Sequence, residues 1–106
     1  MFARSVRMRL KTSSAPEFSK TMEQEVIPLL RKQKGFQDEI TFLTSAGTEA
    51  VGISLWDEKE NAESYSRGAY PDVLKVLARV VEGTPQVQNS EVCNSTFHKI
   101  AAPVAA

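Results

Sequence analysis

Residues 49–70 read EAVGISLWDEKENAESYSRGAY. Val51, Ile53 and Leu55 are apolar and β-favouring, and Gly52, Ser54 and Trp56 take the alternate places. Period-two alternation is the mark of a half-buried strand, here Glu49 to Trp56. Trp56 should therefore point to the sheet face opposite Val51, Ile53 and Leu55. Asp57, with Glu60 three residues on, reads as a capping box that opens a helix straight after the strand. Acidic Glu58 and Glu60 suit the positive end of that helix. Trp56 thus stands where a strand end, a helix start and a pocket mouth can coincide.

Upstream, Phe2, Val6, Met8 and Leu10 alternate with Ala3, Ser5, Arg7 and Arg9, which gives a first strand. Arg4 interrupts its apolar face, and its stem can carry the charge out to water. Ser14 and Glu17 form a second capping box with Pro16 in the first turn, so a helix is expected to about Lys34. Phe18, Met22, Val26, Leu29 and Leu30 recur along it at helical spacing. Pro28 removes the bond to the Gln24 carbonyl and should kink the helix or start a separate last turn. Gly35 stops it. Phe36 to Thr44 is the second strand, with Phe36, Ile40 and Phe42 on one face and Gln37, Glu39 and Thr41 on the other. Ser45–Thr48 turns the chain into the third strand.

Downstream of Trp56 the second helix carries Ala62, Tyr65 and Ala69, punctuated by Gly68 and Pro71. A further helical run places Val73, Val76, Leu77, Val80 and Val81 inward and stops at Gly83. A mostly polar last strand runs from Pro85 to about Ile100. The order β-α-β-β-α-β gives an α+β fold, the ferredoxin-like plait: a four-stranded antiparallel sheet with helices on one face. The helices are expected over Val6, Met8, Ile40, Phe42, Ile53 and Leu55. The open face is expected to carry Arg7, Arg9, Glu39, Thr41, Ser54 and Trp56. A tryptophan on an open sheet calls for a cover, and a second copy of the chain is the simplest one, so a homodimer through this face is expected.

The chain has 106 residues, which suits one domain, expected over residues 1–100, with a loose tail at 101–106. The 13 basic and 13 acidic residues cancel, so no global field draws it to nucleic acid or an anionic membrane. Single-stranded RNA binding, another use of this plait, needs a basic platform and several exposed aromatics, which this composition does not supply. Cys93 is the one cysteine, which excludes an internal disulfide and fits a reducing, cytoplasmic setting. Phe2–Leu10 is broken by Arg4, Arg7 and Arg9, so it is neither a signal-peptide core nor a membrane span.

Three pieces carry a family resemblance over residues 2–100: Gly35-Phe36 between helix and strand; Leu55-Trp56-Asp57-Glu58; and Tyr65, nine residues after the tryptophan. With these the chain resembles the dimeric α+β barrel proteins, specifically the antibiotic biosynthesis monooxygenase-like group. The resemblance implies two plaits packed sheet to sheet, with a small-molecule pocket between sheet and helices in each. Members include cofactor-free oxygenases of anthrone- or quinol-like aromatics and haem-degrading enzymes. The asparagine of the haem degraders would fall near Val6 or Ser5 and is absent, and the only histidine, His98, is in the wrong element. The resemblance therefore implies a cofactor-independent monooxygenase, with no cofactor and a small apolar or aromatic substrate. The competing reading is a binding or sensing protein that keeps the pocket without turnover.

The resemblance makes Trp56 and Tyr65 the catalytic candidates, and Trp56, Tyr65, Tyr70 and Arg67 the substrate-binding ones. Tyr65 and Tyr70 can donate to a carbonyl or phenolate, and Arg67 beside Gly68 can bind an anion. The plainer readings are that Trp56 fills an interface, that the tyrosines cover the helix surface and that Arg67 is solvated. His98 has the one unperturbed pKa near neutrality but no evident partner, so a surface histidine is expected. Cys93 is expected to be a buried, inert thiol. A lone cysteine and a lone histidine make no metal cluster, and the five glycines are isolated, so there is no phosphate loop.

Overall fold

The computed structural model describes residues 1–98 of the chain. The expected end of the fourth strand at Ile100 and the expected loose tail at 101–106 lie outside the described residues. The elements run β1 (Phe2–Leu10), α1 (Ala15–Thr21), a π-helical turn (Met22–Val26), α2 (Ile27–Arg31), β2 (Phe36–Leu43), β3 (Glu49–Trp56), α3 (Lys59–Arg67), α4 (Tyr70–Leu77) and β4 (Val81–Glu91). The sheet order is β2-β3-β1-β4 with every neighbouring pair antiparallel. The helices lie on one face, as in a ferredoxin-like α+β fold. Among the described residues no helix is long and apolar enough to cross a membrane.

The strand pairing reverses the expected faces of two strands. Phe2 lies opposite Trp56, Arg4 opposite Ser54 and Met8 opposite Ala50. Glu39 lies opposite Ser54, and Thr41 opposite Gly52. Directly paired residues share a face. The helices therefore cover Glu39, Thr41, Gly52, Ser54 and Trp56 together with Phe2, Arg4, Val6 and Met8. Ile40, Phe42, Ile53 and Leu55, expected in the core, face outward, with Ile40 48% and Phe42 53% exposed. On β2 the cause is a bulge: Phe36 pairs with Trp56 but Asp38 with Leu55, so one extra residue switches the parity after Phe36. On β3 the inward side chains of Ala50, Gly52 and Ser54 are small, and Trp56 fills the remaining space with 0% exposure.

The long first helix breaks where Pro28 requires it. α1 passes into the π-helical turn, where the Ile27 N–H donates to the Met22 carbonyl, five residues back. α2 then starts with Pro28 in its first turn. Neither expected capping box forms. The Ser14 hydroxyl donates to the Thr12 carbonyl instead of capping α1. α3 begins two residues after Asp57, with Glu58 at its N-cap. Val80 and Val81 leave the last helix to lead into β4. Gly83 is no helix stop; it lies in β4 where the pairing with β1 shifts between Arg7 and Arg9. Pro85 is tolerated because β4 is an edge strand.

The turn into β2 ties the sheet to α3. Gly35 has φ +80°, the left-handed region, and its carbonyl accepts from the Asp57 N–H at 2.9 Å. The Asp57 carboxylate accepts from the Glu58 N–H at 2.6 Å and from Asn61 Nδ2 at 2.8 Å. A Cβ on Gly35 would run into that carboxylate and into the Asn61 side chain. Gly35→Ala should cost at least about 1–2 kcal/mol of stability from the backbone alone. Chemical denaturation will show it as a lower midpoint at unchanged slope.

Candidate functional site

Beneath α3 and α4 one transverse row of the sheet is polar. Glu39 on β2, Ser54 on β3 and Arg4 on β1 are successive cross-strand neighbours on the helix-covered face. Two strand spacings separate Glu39 from Arg4, about 9.5 Å along the hydrogen-bonding direction. Tyr65 from α3 and Tyr70 from α4 close the space from above. Met22 and Val26 of the π-helical turn and Leu30 of α2 complete its wall. The chamber measures about 40 Å³. Gly52 makes the room: a Cβ there would sit 3.2 Å from Glu39 Oε2.

Arg4 does not reach water as expected. It is 3% exposed, and its guanidinium lies 4.3 Å from the Tyr70 ring centroid and 5.2 Å from that of Tyr65. The Arg4 stem is too deep under the two helices to snorkel, and the ring faces replace part of its lost hydration. Among the described residues it makes no salt bridge. Across the chamber Glu39 is held by the Thr41 hydroxyl, which donates to its carboxylate at 2.7 Å. Burial pushes the Glu39 carboxyl above the ordinary glutamate range, and the Thr41 hydrogen bond offsets part of that. Burial also pushes up both tyrosine hydroxyls, with the Arg4 charge opposing it in each case. Tyr65 and Tyr70 thus stay neutral donors, and the chamber holds a cation and a proton-accepting group on opposite walls.

A second space adjoins the chamber. A surface groove of about 330 Å³ runs between α1, the π-helical turn and the β2 edge, with Phe18, Ile27 and Leu43 in its wall. Met22 and Glu39 line both spaces and so form the partition between them. Methionine, unbranched and with three rotatable bonds, makes a deformable partition.

Of the sequence-derived candidates, the structure brings Trp56, Tyr65 and Tyr70 into one stack. Trp56 and Tyr65 stack at 5.0 Å and 29°, and Tyr65 meets Tyr70 at 5.9 Å. Trp56 Nε1–H donates to Ser54 Oγ at 2.9 Å, which orients the middle residue of the polar row. Trp56 itself lies behind the chamber wall. Arg67 is exposed at the end of α3 and lines neither space, since the last turn of α3 points its side chain away from the sheet. The cation of the site is Arg4. His98 has a partner after all, Asp38 on β2, on the other side of the sheet from the chamber. Cys93 is exposed rather than buried, because it follows the end of β4. Arg4 and Glu39 escaped the sequence reading because each looked like a solvated residue. Their registration on Ser54 is the signal, and it appears only once the β2 bulge is known. Among the described residues no group of His, Cys, Asp or Glu is placed to hold a metal.

The partial burial of Glu39 makes folding pH-dependent. The groups facing it are Arg4 on β1, Tyr65 on α3, Tyr70 on α4 and Glu23 on the π-helical turn, besides Thr41 and Ser54. Its folded pKa lies above that of a free glutamate, so between the two the folded chain keeps a proton that the unfolded chain has released. Stability should fall as pH rises through the folded pKa. Glu39→Gln should remove this slope and raise the melting temperature at neutral pH. Melting curves of both proteins from about pH 4 to about pH 7.5 check this, the region between a free carboxylate and neutrality.

No family model and no curated protein matches the sequence. Solved structures with the same fold do. A monooxygenase from Streptomyces coelicolor, crystallised with nanaomycin D, superposes with a TM-score of 0.71 at 14% identity, over 84% of this chain and 84% of that one. SnoaB, a cofactor-independent oxygenase from Streptomyces nogalater, gives 0.72 at 11% identity, over 92% and 97%. A protein of unknown function from Nitrosomonas europaea gives 0.74 at 14%, over 90% and 91%. The fold of this chain is that of the antibiotic biosynthesis monooxygenase-like proteins.

Proposed function

We propose that the chain is a cofactor-independent monooxygenase of small anthrone- or quinol-like aromatics. The observation that carries this reading is the chamber in which buried Arg4 and half-buried Glu39 face each other across Ser54, under two neutral tyrosine hydroxyls. Oxygenation without a cofactor needs a substrate that becomes an electron-rich anion and a site that stabilises that anion. For an anthrone, two C–H bonds at the ring methylene break and a C=O forms. One oxygen atom of O₂ enters the carbonyl and the other leaves as water, so the substrate supplies all the electrons. The 40 Å³ chamber is too small for a ring, whereas the 330 Å³ groove is of ligand size. The ring body therefore lies in the groove against Phe18, Ile27 and Leu43, and its reacting edge passes Met22 into the chamber. Tyr65 and Tyr70 donate to the developing oxyanion, and Trp56 holds Tyr65 and Ser54 in place.

We also propose that the open sheet face pairs with a second copy of the chain. Ile40, Phe42, Ile53 and Leu55 form an apolar band there, flanked by the segment Val92 to His98. This band, rather than Trp56, is what calls for a cover.

An oxygen electrode with anthrone and dithranol, without added cofactor, tests the first reading. Uptake above buffer should fall by about tenfold or more in Tyr65→Phe, the loss of one oxyanion donor. No uptake by the wild type sinks the oxygenase reading in favour of a binding protein, for which thermal shift against the same compounds is the readout. For the second reading, light scattering should give twice the chain mass for the wild type and the single mass for Phe42→Asp. A wild-type monomer at micromolar concentration defeats the pairing.

A further inference from the structure

Glu39 occupies a position no other carboxylate of the described chain shares. It lines both the inner chamber and the outer groove, and it lies on the wall opposite the buried cation of the site. Glu23, the other acidic residue of the groove, lines only the outer space. A substrate whose ring lies in the groove must bring its reacting edge past Glu39 before that edge can reach Arg4.

We propose that Glu39 is the proton acceptor of this site, taking hydrogen from an acidic C–H or O–H at the edge of an aromatic ketone or phenol, while Arg4 across Ser54 holds the anion left behind. The bond to hydrogen breaks, its electron pair stays on the substrate and delocalises onto the ring oxygen, and the proton goes to Glu39 Oε2. The carboxylate becomes a carboxylic acid, so the total charge of the site is unchanged. Three features favour the transfer. The Glu39 carboxyl is more basic than an exposed one because it is half-buried. Thr41, which lines the groove, fixes its orientation by donating to the carboxylate, its hydroxyl 3.0 Å from Oε1 and 2.7 Å from Oε2. Arg4 carries its charge without a salt bridge among the described residues, so an incoming oxyanion competes with no resident carboxylate. Gly52 matters for the same reason, since a side chain there would press on Glu39 Oε2.

This assignment rests on the oxygenase reading for its substrate, but proton removal can be measured without oxygen. The experiment is anaerobic exchange of the anthrone methylene hydrogens for deuterium in D₂O, followed by NMR, with wild type, Glu39→Gln and Arg4→Lys. Wild type should exchange faster than buffer. Glu39→Gln should lose about a hundredfold or more of that rate, the usual contribution of a general base, with KM within about threefold. The wild-type rate should rise with pH along a limb above the ordinary carboxylate range, and that limb should vanish in Glu39→Gln. Arg4→Lys, which keeps the charge but loses the planar fork, should raise KM more than it lowers kcat. Exchange that survives intact in a folded Glu39→Gln overturns the assignment even if oxygen uptake stands. Glu39-dependent exchange in a wild type that consumes no oxygen upholds the assignment and removes the oxygenase reading alone. A wild type that exchanges no faster than buffer overturns the assignment.

Discussion

The packing of Trp56 is the constraint on which the rest of the structure depends. Its indole meets the edge of Phe36 at 5.6 Å and stacks on Tyr65 at 5.0 Å, and its one polar atom is satisfied by Ser54. Those contacts join β2, β3 and α3 at one point. A fully buried tryptophan is worth several kcal/mol, and its N–H must find an acceptor inside the protein. Once Trp56 turns inward, period two sends Ser54, Gly52 and Ala50 inward behind it and Leu55, Ile53 and Val51 outward. The polar row under the helices is thus a by-product of seating one aromatic side chain.

That row explains how an arginine survives in the interior of so small a domain. Burying an unpaired charge is costly, and most proteins avoid it or neutralise it with an adjacent carboxylate. Here the compensation is spread out. Two aromatic faces cover the guanidinium, two tyrosines hold their hydroxyls neutral nearby, and the acid on the row stands two strands away. Electrostatic energy left unspent in the resting protein can be realised only when something negative enters.

The order of elements and the existence of the plait were legible in the sequence because they rest on features that act locally. These are alternation in β1 and β3, the glycine stop at Gly35, and the break at Pro28. The orientation of the sheet was not. Hydrophobicity says that Ile40, Phe42, Ile53 and Leu55 belong inside, and they are outside. A one-residue bulge after Phe36 switches the parity of β2, and no residue near it advertises the slip. On β3 the inward positions are small because the helices come close, and small residues look like surface in a sequence. Of the candidate site, Tyr65 could be found through the family resemblance and Tyr70 as a helix tyrosine able to donate a hydrogen bond. Arg4 and Glu39 could not, since a charge in a strand is ordinarily solvated and nothing within either segment records that Ser54 stands between them.

The π-helical turn has a thermodynamic consequence for any ligand. Its widened ring and the missing N–H of Pro28 leave one wall of the chamber with a weaker hydrogen-bond ladder than a continuous α-helix would have. Local opening there should lie well below the free energy of global unfolding. A ligand edge that fits the 40 Å³ chamber only after the π-helical turn opens would bind only the open fraction of molecules. Apparent affinity is then the intrinsic affinity scaled by that fraction, and each 1.4 kcal/mol of opening free energy weakens it about tenfold. A protein built so would hold a ligand less tightly than its contacts alone would allow, and in exchange keep a buried cation away from bulk water whenever that wall is shut.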